Sequence, residues 1–301
     1  MKPLMIVVLT LLGGFAVAPS HAQLQIFACE PEWGSLAKEI GGNDVSVFNA
    51  TTAKQDAHHV EARPGLIAKL RQADLVVCTG AELEVGWMPM LLRQAGNAKV
   101  QTNQPGYFEA ASFVERLEIP QQVDRSMGDI HAAGNPHIHT DPRRIAIVAS
   151  KLAERLAQID PPNAAAYQTR QDAFAKRWQQ AIQAWSAKAE PLKGVRFASH
   201  HREWVYLYDW LGIQDAGTLE PKPGVPPTAS HLATLKDALA RAPARAVIRS
   251  PFEDPRPSEW LARETGTHAV LLPYTVGGTP VATDLFTLFD ETIALLMGAS
   301  T

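Results

Sequence analysis

Hydrophobic positions along the chain fall into two kinds of run. Short apolar stretches lie at 24–28, 45–48 and 75–78, and segments with helical spacing lie at 30–40, 64–73 and 84–95. Proline opens the helix at 64, and Gly41-Gly42 and Gly96 stop the other two. Strands alternating with helices predict βαβ units around a parallel sheet. The alternation resumes after Pro191, with strands expected at 195–198, 246–248 and 269–272 and helices at 204–211, 230–242, 257–264 and 284–297. The proline-rich stretch 220–227 reads as a stiff, extended connection. Between the two halves, Asp141-Pro142 supplies an N-cap and an N1 proline for a helix to about residue 159, which Asp160-Pro161-Pro162 stops. Residues 163–189 then continue without Gly or Pro. As one helix they would span about 40 Å, more than one small domain needs. That length reads as a strut joining two α/β lobes, against the alternative of a helical hairpin packed on one domain. The expected division is 1–22, 23–160 as the N-terminal lobe, 161–190 as the linking helix and 191–301 as the C-terminal lobe.

The first segment is an address rather than a fold element. Residues 4–18 are almost wholly apolar behind Lys2, and Ser20-His21-Ala22 offers small residues at −3 and −1 of a cut before Gln23. The run is shorter than the about 20 residues of a membrane span. Cys29 lies too far downstream, and Phe27 fits too poorly, for a lipoprotein cut. A soluble, exported protein is expected. Hydrophobic residues at 46% and charged residues at 20% of 301 are ordinary globular usage. The formal charge of −3 argues against nucleic-acid binding by bulk electrostatics. Export makes a Cys29–Cys78 disulfide possible, because each cysteine ends a strand-like run; two buried thiols are the alternative.

The histidines change the picture. Six of those beyond Ala22 form three close pairs, His58-His59, His137 with His139, and His200-His201, each where a connection meets a strand or helix. In open α/β sheets ligands gather at the carboxyl ends of strands. One imidazole from each pair gives three nitrogens, and Asp284 at the start of the last helix could add a carboxylate oxygen, the four donors that zinc takes. Spacing alone leaves open which member of each pair is used.

With these residues in view, the sequence resembles the periplasmic metal-binding proteins of zinc and manganese ABC importers (the cluster A-I solute-binding proteins), the zinc branch in particular. The likeness rests on Asp56-Ala-His58 with Glu61 and Pro64, Ala73-Asp-Leu-Val-Val, Asn135-Pro-His137 with Asp141-Pro142, Ser199-His200-His201 with Trp204, Tyr206 and Leu211-Gly212, and Ala262 to Gly266. The resemblance implies two α/β lobes, each a parallel-rich sheet flanked by helices, joined by one long rigid helix with metal between them. It implies His58, His137, His201 and Asp284 as metal ligands. Manganese-type members carry glutamate at the third position, so His201 implies Zn²⁺ as the transported ion. Several positions depart from the family pattern: Ala57, Val60, His139, and a short segment 124–134 whose only histidine is His131. The implied partner is an ABC permease in the inner membrane, with a periplasmic zinc chaperone as a further candidate and the chain acting as a monomer without nucleic acid. The competing readings are a manganese or iron subunit of the same importer type, a surface adhesin, and a zinc hydrolase with Asp284 or Glu61 as general base. The last lacks any HExxH motif.

Overall fold

The computed structural model describes residues 22–299. The expected signal segment, apart from Ala22, lies outside these residues. The first sheet is built from β1 (Leu24–Ala28), β2 (Val45–Asn49), β3 (Leu75–Cys78) and β4 (Tyr107–Glu109), all parallel, in the order β2-β1-β3-β4. The second repeats that topology with β5 (Arg196–Ser199), β6 (Gln214–Thr218), β7 (Ala246–Arg249) and β8 (His268–Leu271), in the order β6-β5-β7-β8.

Helices cover both faces of each sheet, which is why stretches of the central strands such as Ile26–Ala28 and Leu75–Cys78 are apolar at consecutive positions rather than at alternate ones. Along β1, Ile26 and Ala28 face the main core, and Phe27 faces a separate outer core with Val76 of β3. That outer layer comes from α2 (Pro64–Gln72) and α3 (Met88–Ala95). On the second sheet, Ala198 and Val247 face outward onto α7 (Ala229–Arg241) and α8 (Pro255–Thr265). The inner helices are α1 (Pro31–Gly41), α4 (Pro142–Ile159), α5 (Ala164–Ala189), α6 (Val205–Leu211) and α9 (Leu285–Gly298). They share one apolar core that runs unbroken between the two sheets.

The long helix α5 holds this core together. Its first half is tied to the α1 end of the first sheet, where Arg170 Nε donates to Ile40 O at 2.7 Å and the guanidinium pairs with Asp44 at 2.6 Å. Its middle is tied to α4 by Trp178 Nε1 donating to Pro142 O at 2.8 Å. Its last turns meet α9, where Trp185 Nε1 donates to Asp290 at 2.7 Å. Phe174, Trp178, Trp185, Phe286 and Phe289 fill the space between α5 and α9, with ring centroids as close as 4.9 Å.

Three local expectations change. The helix expected from residue 84 starts at Met88, because Ala81 and Glu82 adopt left-handed backbone with φ of 50° and 70°. The Glu84 carboxylate also turns back to accept from Thr79 N at 2.8 Å and Gly80 N at 3.1 Å. Strands β4 and β6 were not expected: β4 has three residues, and β6 is the polar edge sequence QDAGT. The 220–227 connection is not extended throughout, since Val225 N returns to Lys222 O at 3.0 Å around Gly224, whose φ is 73°.

Cys29 and Cys78 are disulfide-bonded across neighbouring strands β1 and β3, with a Cα–Cα distance of 4.8 Å. The bond closes a loop of 49 residues in sequence. Replacing both cysteines with alanine is expected to cost about 2–4 kcal/mol, read as a lower denaturant midpoint. Reductant should lower the wild-type midpoint in the same way; a midpoint indifferent to reductant would count against this contribution.

Candidate metal centre

Three connections at the strand ends converge between the two sheets. The first lies between β2 and α2. Asp56 shapes a tight turn there, its Oδ1 accepting from the backbone N of His58 at 2.9 Å and from the His58 Nδ1 at 2.7 Å. The Trp87 indole holds the turn by donating to Ala57 O at 2.8 Å. The second connection enters α4 through Asn135-Pro136-His137. The Asn135 side chain accepts from His137 N at 3.1 Å and donates to Arg202 O at 2.8 Å, linking this loop to the second sheet's connections. The Tyr206 hydroxyl of α6 donates to Asn135 O at 2.5 Å. The third connection follows β5, where Ser199 Oγ donates to His201 O at 2.8 Å.

These loops bring His58, His137 and His201 together. One ring nitrogen from each lies within 4.8 Å of the others. The ring centroids form a near-equilateral triangle of 5.3, 5.4 and 5.6 Å, with the rings edge to face. In every ring Nδ1 is already engaged: with Asp56 for His58, with Tyr274 OH for His137 and with Glu220 for His201, each at 2.7 Å. Carboxylates only accept, so His58 and His201 carry their proton on Nδ1 and leave the Nε2 lone pair free. This is the arrangement in which an outer partner orients a metal-binding imidazole.

The electrostatics differ from ring to ring. His137 is 2% exposed, and burial together with its histidine neighbours holds its pKa well below the usual value. Burial acts the same way on His201, but the hydrogen bond to Glu220 and the nearby acids outweigh it and raise the pKa. Burial likewise opposes ionisation of Asp56, but the bonds from His58 prevail and bring it to about 2. Glu203 is pushed up to about 7 by burial; it accepts from Ser250 Oγ and stands outside the imidazole group.

The second members of the pairs have other roles. His59 faces solvent near Asp129. His139 is buried against Tyr274 O at 3.1 Å and Glu32 at 3.4 Å. His200 extends the β5–β7 ladder through its backbone N to Ile248 O.

The structure places Asp284 apart from the imidazoles. Its carboxylate is the N-cap of α9, accepting from Thr287 N at 2.8 Å, while Thr287 Oγ1 accepts from Asp284 N at 2.9 Å. It lines a surface groove with Lys38, Ser46 and Asn49 instead of joining the imidazoles. An acid ahead of an apolar helix reads the same in sequence whether it caps or coordinates, and here the capping box takes it. The inward position on that connection belongs to Tyr274, which sequence reasoning missed. Its one signal was its place just beyond the carboxyl end of a strand.

The sequence matches the family described as zinc-uptake complex component A, periplasmic, over residues 26–298. The chain belongs to this family. Among curated relatives of this family member, the metal ABC transporter substrate-binding lipoprotein SloC of Streptococcus mutans is 23% identical over 87% of this chain and 85% of its own. The manganese ABC transporter substrate-binding lipoprotein PsaA of Streptococcus pneumoniae is 23% identical over 84% and 80%. A crystal structure of ZnuA superposes with a TM-score of 0.78 at 21% identity, covering 93% of this chain and all (100%) of that one. The manganese-bound periplasmic metal-binding protein of Candidatus Liberibacter asiaticus gives 0.76 at 15%, with the same coverage. These superpositions establish the two-lobe fold.

Two substitutions test the assignments. Asp284→Ala is expected to lower stability by about 0.5–2 kcal/mol through loss of the cap, seen in thermal unfolding, with metal titrations unchanged. Tyr274→Phe leaves the His137 Nδ1 without its partner and is expected to weaken metal binding about 10–100-fold, measured by competition with a chromogenic chelator.

Proposed function

We propose that this protein captures Zn²⁺ in the periplasm and delivers it to an ABC permease in the inner membrane, with His58, His137 and His201 as metal ligands. The observation that carries this reading is the convergence of three imidazoles whose outer nitrogens are all held. Imidazole suits zinc, whereas manganese favours harder oxygen donors. The manganese alternative is favoured by relatives that are manganese ABC transporter substrate-binding lipoproteins, such as PsaA. The donor set argues against it, because no acid of the described residues joins the three histidines within 4.8 Å. A hydrolase reading calls on Asp284 or Glu61 as base. Asp284 caps a helix, and Glu61 is exposed beside Arg63 at 3.4 Å.

The exported location rests on residues 1–22 as a cleaved signal and on the disulfide, which suits an oxidising compartment. Both cysteines are in that bond, so neither offers a thiol for lipid attachment. Among the described residues no helix is long and apolar enough to cross a membrane. We place the lobes at 23–160 and 191–301, the linking segment at 161–190, and the metal between the lobes of a monomer.

Calorimetric titration of metal-free residues 23–301 tests the reading. One tight zinc equivalent is expected, with Mn²⁺ much weaker and His58→Ala, His137→Ala and His201→Ala each weakening zinc. Zinc affinity should fall from pH 7.5 to pH 6, because protons compete for the imidazoles, His201 among them with its pKa raised by Glu220 and the nearby acids. A preference for manganese, or no tight binding of either ion, would overturn the assignment.

A further inference from the structure

The imidazole group closes at three members, while zinc takes four donors. A fourth imidazole lies outside that 4.8 Å group and meets it at His58. His131 lies in the segment 124–134, with its Nε2 3.3 Å from the Nε2 of His58 and the two rings stacked at 5.2 Å. It lines the same cavity of about 270 Å³ as His137 and His201. Two nitrogens held tetrahedrally at 2.0–2.1 Å from one zinc ion are about 3.3–3.4 Å apart. The His58–His131 separation is that of one edge of a zinc tetrahedron.

The backbone that carries His131 is anchored on both sides of the cavity. Asp129 N donates to Pro223 O at 2.8 Å, and Lys222 Nζ donates to Ser126 O at 2.5 Å, which ties the segment to the turn after Glu220. On the other side Ala133 N donates to Glu82 at 3.4 Å, and His59 lies 3.6 Å from Asp129. The segment is therefore a strap across the site, with its single histidine facing inward.

We propose that His131 is the fourth metal ligand, drawn inward from its contact with His58 to complete a four-imidazole site, so that strap 124–134 closes directly on the ion. This rests on the reading of His58, His137 and His201 as the zinc site. With metal absent, His58 Nδ1 donates to Asp56, so the short contact is His131 Nε2–H donating to His58 Nε2. Metal entry breaks that hydrogen bond: His131 changes tautomer, its proton passing through water from Nε2 to Nδ1, and the two Nε2 lone pairs then bind the ion with no net loss of a proton.

The test uses residues 23–301 loaded with Co²⁺ as a spectroscopic stand-in and with Zn²⁺ for affinity and X-ray absorption. The wild type is expected to show a tetrahedral Co²⁺ d–d band and four histidine nitrogens around zinc. His131→Ala should still bind one equivalent, at least about tenfold more weakly. Its Co²⁺ band should lose intensity as water enters, and its zinc shell should show three histidine nitrogens. His131→Asp, which returns an oxygen donor, should narrow the preference for Zn²⁺ over Mn²⁺. Wild-type affinity and an unchanged Co²⁺ spectrum in His131→Ala would overturn the proposal while leaving the three-histidine site standing. Unaltered affinity in His58→Ala and His137→Ala would overturn that parent reading instead. Thermal unfolding of each variant separates loss of fold from loss of ligand.

Discussion

Three imidazoles that face one another in a largely buried cavity have nothing to gain from proximity unless each ring is held in a single orientation and tautomer. The hydrogen bonds at Nδ1 do this. Asp56, Tyr274 and Glu220 each sit 2.7 Å from an Nδ1, and together they hold three rings whose remaining nitrogen is Nε2. Without them the rings would rotate or protonate, and the cavity would lose its shape. The bond strengths follow from chemistry: carboxylate acceptors make charge-assisted bonds about twice as strong as neutral ones. The most buried ring, His137, instead takes a neutral hydroxyl, avoiding a second buried charge.

The fold supplies these partners from separate places. Asp56 lies two residues before its histidine, Glu220 comes from the turn beyond β6, and Tyr274 from the connection beyond β8. All lie beyond the carboxyl ends of strands, where parallel sheets expose their connections. Asn135 joins the halves by bonding His137 on one side and Arg202 on the other.

Much of this was legible in the sequence because it depends on local patterning. Apolar runs doubly buried in parallel sheets, proline at helix starts and an uninterrupted stretch over α5 leave strong signals. The histidine pairs were legible too, and the fold draws one member of each pair into a single group. Features set by non-local partners were not legible. The edge strand β6, QDAGT, buries only Ala216 fully and so carries no apolar run. Asp284 and Tyr274 lie on one connection, and which of them turns inward is decided by Thr287 capping the acid and by His137 awaiting a partner. Composition could not have ranked them.

The same contacts constrain how an ion leaves. His58 and His137 belong to connections of the first half and His201 to the second, so release has to loosen the space between them. A wide hinge would part α5 from its neighbours and expose Phe174, Trp178 and Phe289, all at most 2% exposed. Each large apolar side chain left in water costs about 1.5–3 kcal/mol, and several would be uncovered at once. The strap 124–134 and the turn at 222–225 are instead joined to each other by two hydrogen bonds at the rim. A typical hydrogen bond contributes only about 0.5–1.5 kcal/mol net. Motion at this rim is therefore the least costly path to the imidazoles, and under the proposed reading an ion held there would exchange through it.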